Sequence, residues 1–365
     1  MSWESERVQD VYFFTGFPGF IATRLIRRLV ELNAGAQFRL LVHPSQRERA
    51  ERERATLGSA EQFQIVEGDI TREGLALTSE KSDALRGCVT YVFHLAAVYD
   101  LAVPKDLAYD VNVNGTRNVN TFVKSLPQLK RYVYFSTAYV SGDRTGRVLE
   151  TELVKGQNFK NHYESTKYEA EVLVQSVREQ VPLTIIRPGV VMGDSKTGET
   201  PKFDGPYFVM RFLDKFASLP IPYVGRGDVL MNLVPVDYVV EATCCLAHVE
   251  SGEGKVYHLT DPRPYTAKQA YELICRELLG KPPVWTLPSG LVYGALSIPA
   301  FRKWVQVERE TIAYFQEQSV YDASQAERDL AAQGIQCPDL REYMGREVAY
   351  YKEHREDREK LIAVR

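Results

Sequence analysis

Residues 11–31 read VYFFTGFPGFIATRLIRRLVE. The apolar run Val11–Thr15 has the composition of a buried strand, and after a short turn the apolar residues recur every three or four positions, as on one face of a helix. Between the two, Thr15, Gly16, Gly19 and Ala22 fall as T-G-x-x-G-x-x-A. In the order strand, glycine turn, helix, that spacing is the fingerprint of a dinucleotide site. Gly16 permits the tight turn and Gly19 lets a pyrophosphate approach the backbone. The helix starting near Phe20 offers unpaired N–H groups and the positive end of its dipole. Phe17, Pro18, Phe20 and Ile21 complete the candidate cradle. Ala22 takes the third position, which serves helix–strand packing and accepts one extra methyl.

The pattern repeats outward from this unit. Short apolar runs, FRLLVH (38–43), FQIVEGD (63–69), YVFHLAA (91–97), RYVYFSTA (131–138) and LTIIRPG (183–189), alternate with amphipathic stretches up to about residue 192. Such alternation predicts βαβ units and a doubly wound parallel α/β sheet of the Rossmann kind. After residue 193 the chain turns to Gly- and Pro-rich loops broken by helical segments, while VDYVVEATCCLAHV (236–249) and KVYHLTD (255–261) look like late returns to the sheet. The expected organisation is a nucleotide-binding domain of residues 1–192 plus 230–262. A smaller, mostly helical substrate cap of residues 193–229 plus 263–365 completes it.

Composition narrows the class. The 365 residues are 44% hydrophobic and 25% charged with a formal net charge of -3, enough apolar material for a sizeable core. The charged runs RERAERERA (47–55) and KEHREDREK (352–360) mix both signs, as solvated helix faces do, and argue against nucleic-acid binding. Five scattered cysteines without a CxxC pair predict reduced thiols, no disulfide framework and no metal site. The N-terminus carries no apolar run behind a basic start, and GLVYGALSIPAF (290–301) is too short for a membrane span, so a cytoplasmic protein without a transmembrane segment is expected.

The second apolar run ends in His43-Pro44-Ser45-Gln46-Arg47, with no carboxylate before Glu48 to take a ribose 2′-hydroxyl. A guanidinium there matches a 2′-phosphate, so Arg47 favours NADP, as NADPH, over NAD. Asp69 and Ile70, after the third run, lie where an adenine edge is met. Further along, Tyr163 and Lys167 form a YxxxK pair that shares one helix face. A nearby ammonium favours the phenolate and is expected to lower the Tyr163 pKa toward working pH. Thr137 stands 26 positions upstream.

These pieces together resemble the extended short-chain dehydrogenase/reductases, over most of the chain. The matching segments are TGFPGFIA (15–22), GDIT (68–71), HLAA (94–97), VNVNGTRNV (111–119), FSTAYVSG (135–142), YESTK (163–167) and IIRPGVVMG (185–193). The resemblance implies that Thr137, with Ser136 as second choice, and Tyr163 hold a substrate carbonyl oxygen. Tyr163 would pass it a proton, Lys167 would bind the nicotinamide ribose, and Asn112 would support the lysine. It also implies that Leu95, Ala96 and Ala97 line the cofactor and that Pro188, Gly189 and Val190 back the nicotinamide carboxamide. A homodimer, common among such relatives, is a further possibility.

Substrate preference rests on the C-terminal half. Family members acting on nucleotide sugars carry an arginine where this chain has Met231, which argues against a diphosphate ligand, although Arg226 could compensate. NLVPVDYV (232–239) and GDSKTGETPKFDGPY (193–207) instead resemble fatty acyl-CoA reductases and thioester-reductase domains. That resemblance implies a hydrophobic acyl thioester, delivered on CoA or a separate carrier protein, or an aldehyde. Reduction of a hydrophobic ketone, or oxidation of an alcohol, is the main alternative. Nucleotide-sugar chemistry and a non-catalytic NADP sensor stand behind it. The apolar block at 283–305 is expected to be cap core that contributes to the pocket, in preference to an acyl tunnel or a membrane-resting surface; Pro299 interrupts any helix there.

Overall fold

The computed structural model describes residues 9–99, 103–225, 227–298, 300 and 319–361. The quoted stretch forms strand β1 (Val11–Thr15) and helix α1 (Phe20–Leu32). There follow β2 (Gln37–Val42), α2 (Arg47–Arg54), β3 (Phe63–Glu67), α3 (Ser79–Arg86), β4 (Tyr91–His94), α4 (Lys105–Tyr109), α5 (Gly115–Lys124) and β5 (Arg131–Phe135). A short β6 (Gly146–Val148), α6 (His162–Gln175) and β7 (Leu183–Pro188) come next.

Seven strands form one sheet in the order Lys255–Leu259, β7, β5, β4, β1, β2, β3, and every pairing in it is parallel. All five residues of β1 and of β5 are buried, as expected of strands covered on both faces. Two apolar clusters lie on its two sides. One joins Phe14, Phe38 and Phe93 to Leu25 and Leu29 of α1; the other joins Phe13, Val92 and Tyr132 to Val119 and Phe122 of α5. The strand order reverses at β1, so the carboxyl ends of β1 and β4 frame the crevice where open α/β sheets bind ligands.

A third cluster belongs to the C-terminal half. It packs Tyr207, Met210 and Leu213 of α7 (Tyr207–Lys215) against Ile274 and Leu278 of α9 (Ala267–Leu279) and Tyr343, Met344 and Val348 of the helix Leu340–His354. Between α7 and α9 the chain returns to the sheet: α8 (Val236–His248) places Val239, Val240 and Leu246 in the same cluster as α1.

Two expectations need correction. Residues 319–331, assigned by sequence to the cap, dock on the nucleotide half. Strand Ser319–Tyr321 pairs with β6, and Ala326 and Leu330 of helix Ser324–Ala331 join the α1-side core. Glu150 fixes this return by accepting hydrogen bonds from the backbone N–H of Gln325 (2.7 Å), Ala326 (3.2 Å) and His258 (3.0 Å). The apolar block is likewise not packed core over its described part, for Val284, Trp285, Leu291 and Ile298 are all exposed. Pro299 and residues 301–305 of that block, like Arg226, lie outside the described residues.

Candidate active site

The glycine turn is a cradle built by steric necessity. Gly16 has φ +91°, and a Cβ there would lie 2.8 Å from Ala96 N and from Leu95 C. Gly19 is restricted for another reason than the one the sequence suggested: a Cβ on it would lie 2.6 Å from Gly16 O, whose carbonyl accepts the Gly19 N–H at 2.7 Å. The turn itself, before any ligand, demands a glycine at 19. Phe17, Pro18, Phe20 and Ile21 carry the chain into α1, whose N-cap Gly19 supplies no side-chain cap, so the first-turn N–H groups stay available to an anion. Ala22 is buried in the core with Phe14 and Leu25, facing away from the cradle.

Thr15 is fully buried, and its hydroxyl bonds His94 Nδ1 (2.7 Å) and accepts from Ala96 N (3.2 Å). It pins Leu95, Ala96 and Ala97, at the carboxyl end of β4, beside the glycine turn. Asp69 turns its carboxylate onto Thr71, while Ile70 packs against Gly115 and its carbonyl accepts from Asn118 (2.8 Å). Pro188–Val190 is fixed on both sides: Gly189 N donates to Leu259 O and Val190 N to Asn232 O. A Cβ on Gly189 would lie 2.6 Å from the latter oxygen, which explains that glycine.

Arg47 is half exposed and already engaged. Its guanidinium meets Glu67 at 2.7 Å and Glu51 at 3.7 Å. Arg49, which the sequence reading passed over, donates to Pro18 O at 3.3 Å and so sits at the glycine turn. It belongs to the same charged run as Arg47, and the signal that separates them is helical phase: residues two apart lie on opposite faces of α2.

The proposed chemistry converges on the carboxyl end of β5. Thr137 caps the short turn Ala138–Ser141, its hydroxyl accepting from Tyr139 N at 3.3 Å, and its side chain lies beside the Tyr163 phenol. Asn161 caps α6 by accepting from Glu164 N (2.9 Å), which sets the first turn that carries Tyr163. Lys167, one turn on, is buried, with Nζ donating to Tyr134 OH (2.9 Å) and Phe135 O (2.6 Å). Asn112 lies in a π-helical turn, Asp110–Asn114, between α4 and α5. Its side chain accepts from Val98 N (2.9 Å) and donates to Thr166 (3.0 Å), one residue from Lys167 and not onto it.

Burial dominates the electrostatics. It pushes the Tyr163 phenol above its ordinary value, against a smaller downward pull from the neighbouring Thr137 hydroxyl, and it lowers Lys167 to about 7, against the opposing field of Glu171. The expectation that the ammonium draws the phenol down is therefore not met. Lys167 spends two of its three N–H groups on Tyr134 and Phe135, and desolvation favours the neutral phenol. A phenol of that kind is equipped to give a proton.

The family model described as "Male sterility protein" matches residues 14–243. The chain is 28% identical over 269 residues to the non-canonical nonribosomal peptide synthetase cpsA of Aspergillus campestris, covering 68% of this chain and 25% of that protein. It is 25% identical over 272 residues to the fatty acyl-CoA reductase wat of Drosophila melanogaster, covering 63% and 52%. It thus spans a quarter of the one relative and about half of the other. Among solved structures, the terminal R domain from the myxalamid PKS-NRPS biosynthetic pathway superposes with a TM-score of 0.81 over 96% of this chain and 92% of that one, at 23% identity. A UDP-glucuronic acid 4-epimerase from Bacillus cereus, in complex with NAD, does so at 0.67 and 18%. None of the described helices is long and apolar enough to cross a membrane. With the glycine cradle, the parallel sheet and the matched span on one chain, this protein belongs to the Male sterility protein family of NAD-binding domains, a group of NAD(P)-dependent oxidoreductases within the extended short-chain dehydrogenase/reductases.

Proposed function

We propose that this chain reduces the carbonyl of a hydrophobic acyl thioester or aldehyde with NADPH. The observation that carries the reading is the meeting of Thr137 and Tyr163 at the carboxyl end of β5, with buried Lys167 one helical turn behind Tyr163. The cradle at Gly16 and Gly19 fits a dinucleotide, since side chains there would fill the space under the phosphates. The nicotinamide, when bound, supplies the hydride.

The chain's own residues do the rest. Thr137 and Tyr163 orient the carbonyl oxygen, and Tyr163 gives it the phenolic proton as negative charge develops. Lys167 keeps one N–H uncommitted among the described residues, the donor a ribose hydroxyl needs. Leu95–Ala97 and Pro188–Val190 wall the cofactor, with Asp69 and Ile70 at the adenine end. Arg49, together with Arg47 once released from Glu67, reads the 2′-phosphate. In net terms a thioester, a hydride and a proton become an aldehyde and a thiol. The substrate enters through the cap, built from residues 193–229 and the helices α9 and Leu340–His354. Met231, half-buried against that core, presents no cation to a sugar diphosphate. The names of the relatives, peptide synthetase and fatty acyl-CoA reductase, support a thioester carried by CoA or by a carrier protein.

The test follows NADPH and NADH oxidation with long-chain acyl-CoAs, aldehydes and ketones, and identifies the products. Thioester-dependent oxidation that yields aldehyde and free thiol is expected. Turnover of ketones without any of thioesters or aldehydes would replace this reading with ketone reduction. Tyr163→Phe is expected to cut kcat by at least about 100-fold while NADPH still binds.

A further inference from the structure

The segment 95–99 leaves the carboxyl end of β4 and is tied down along its length. Leu95 N donates to Thr15 O at 3.3 Å and Ala96 N to the Thr15 hydroxyl at 3.2 Å. Val98 is held by the side chain of Asn112, which accepts from Val98 N at 2.9 Å and donates to Val98 O at 3.4 Å. Asn112 is 1% exposed, and its amide also donates to the Thr166 hydroxyl, which in turn donates to His162 O at 2.7 Å. One buried amide thus fixes the segment after β4 relative to the first turn of α6, the turn that carries Tyr163.

The next residue along is Tyr99. Its ring meets the Tyr163 ring edge-on, with centroids 5.0 Å apart and planes at 87°, inside the range in which aromatic pairs attract. Tyr163 is partly buried, whereas Tyr99 is 61% exposed. A single exposed aromatic ring is ordinary on a protein surface. This one touches the ring whose phenol gives the carbonyl its proton, and the carbonyl oxygen has to come within about 3 Å of that phenol. The chain attached to the carbonyl carbon then lies within reach of the Tyr99 ring, and contact between them covers apolar surface that otherwise faces water.

We infer that Tyr99 sets the preference for a hydrocarbon chain: its ring is the wall against which the acyl chain of the substrate packs, a few carbons out from the carbonyl. This rests on the reading of Tyr163 as the proton donor, and it adds a residue that lies outside both the glycine turn and the YxxxK pair. The chemistry of the wall selects the acyl arm of a thioester over its thiol arm. Leu95, Ala96, Ala97 and Val98, which lead to the ring, are all apolar. A hydrocarbon chain asks for no hydrogen bonds there, whereas the thiol arm of CoA would bring amides that need partners.

Contact made along the chain is present both before and during hydride transfer, so it acts on KM and leaves kcat in place. Covering about two methylenes corresponds to roughly a 10-fold gain in affinity.

The experiment titrates 1-octanol into protein saturated with NADPH and follows binding by calorimetry. The two cannot react, because both are already reduced. Octanol offers a chain and one hydroxyl without a thiol arm. Tyr99→Ala is expected to weaken octanol binding about 10-fold, and Tyr99→Phe, which keeps the ring, to bind within about 2-fold of wild type. An unchanged NADPH affinity in both variants shows that the exposed site was altered without disturbing the fold. Free CoA is the contrasting probe, and its affinity is expected to stay as in wild type. With octanal as substrate, Tyr99→Ala should raise KM about 10-fold and keep kcat within about 2-fold. Octanol bound equally by wild type and Tyr99→Ala overturns the inference, and so does a wild type that binds none. A CoA affinity that falls in Tyr99→Ala overturns it by placing the ring on the thiol arm. A kcat that falls at constant KM does so as well, because the ring would then act only by supporting Tyr163. Octanol results as expected from a protein that reduces neither thioester nor aldehyde would remove the proposed function and leave the chain-binding wall standing.

Discussion

Two buried arginines set the halves of this molecule against each other. Arg187, on β7, is fully enclosed, yet it meets Glu171 through Nε and Nη2 and reaches Glu150 O (3.3 Å) and His258 Nε2 (3.2 Å) through Nη1. Arg211, on α7, is 4% exposed, and none of its three guanidinium nitrogens has a hydrogen-bond partner among the described residues; the Phe208 ring lies 5.8 Å away. Burial lowers its pKa, opposed by the fields of Tyr351 and Asp204. The same contrast holds for carboxylates. Both oxygens of Glu171 are bonded, whereas Glu347, on the helix Leu340–His354, accepts from Tyr207 with one oxygen, and the other has no partner among the described residues. The nucleotide half satisfies its buried charges and is thereby held in one arrangement. In the cap, Arg211 and one oxygen of Glu347 are buried without a hydrogen-bond partner among the described residues, which costs stability.

The contrast can be broken by measurement, and the largest effect is expected at Arg187. Arg187→Met strands Glu171 as an unpaired buried carboxylate and should lower the unfolding free energy by about 3–5 kcal/mol in denaturant titration. A loss below about 1 kcal/mol would mean that the network is not what stabilises this half. Glu347 comes next. Burial raises its carboxyl from 4.5 to about 8, so the folded state holds that proton more tightly than the unfolded chain. Its contribution is fully present below the unfolded pKa and is lost as pH rises through the folded one. From about pH 4.5 to 8, wild type should lose up to about 1.4 kcal/mol per pH unit relative to Glu347→Gln. Parallel stability curves for the two proteins would place Glu347 in water.

Arg211→Met removes a desolvated cation that gains no hydrogen bond, so the melting temperature should hold or rise, with a gain of about 1 kcal/mol or more. A clear drop would show that Arg211 is paired after all. Smallest of all, Ala22→Gly should cost about 1 kcal/mol through helix propensity and a lost core methyl, with the KM for NADPH unchanged. A KM that moved would put position 22 on the ligand side of the turn.

Much of the nucleotide half was legible because its signals are local. Strand burial, the glycine spacing and the four-residue step from Tyr163 to Lys167 each follow from one backbone geometry and need no distant partner. Even there, two local arguments fell short. Gly19 is required by Gly16 O and not by a ligand alone, and the field of Lys167 on Tyr163 was outweighed by burial. The cap was harder to read: the apolar block at 283–305 was expected inside, yet Val284, Trp285, Leu291 and Ile298 of its described part lie exposed. Hydrophobicity alone does not say which apolar segment finds a covering surface.

By itself, then, the sequence determined the sheet, the turn at Gly16 and the helix face that Tyr163 shares with Lys167, because each depends on residues close enough to share a turn, a strand or a helix face. Only the tertiary structure decided that Arg47 faces Glu67 while Arg49 reaches Pro18, and that residues 319–331 return to the sheet. It also decided that Lys167 donates to Tyr134 OH and Phe135 O. These are contacts between residues tens of positions apart, and the packing of whole elements against each other, not any local pattern, brings such groups within hydrogen-bonding reach.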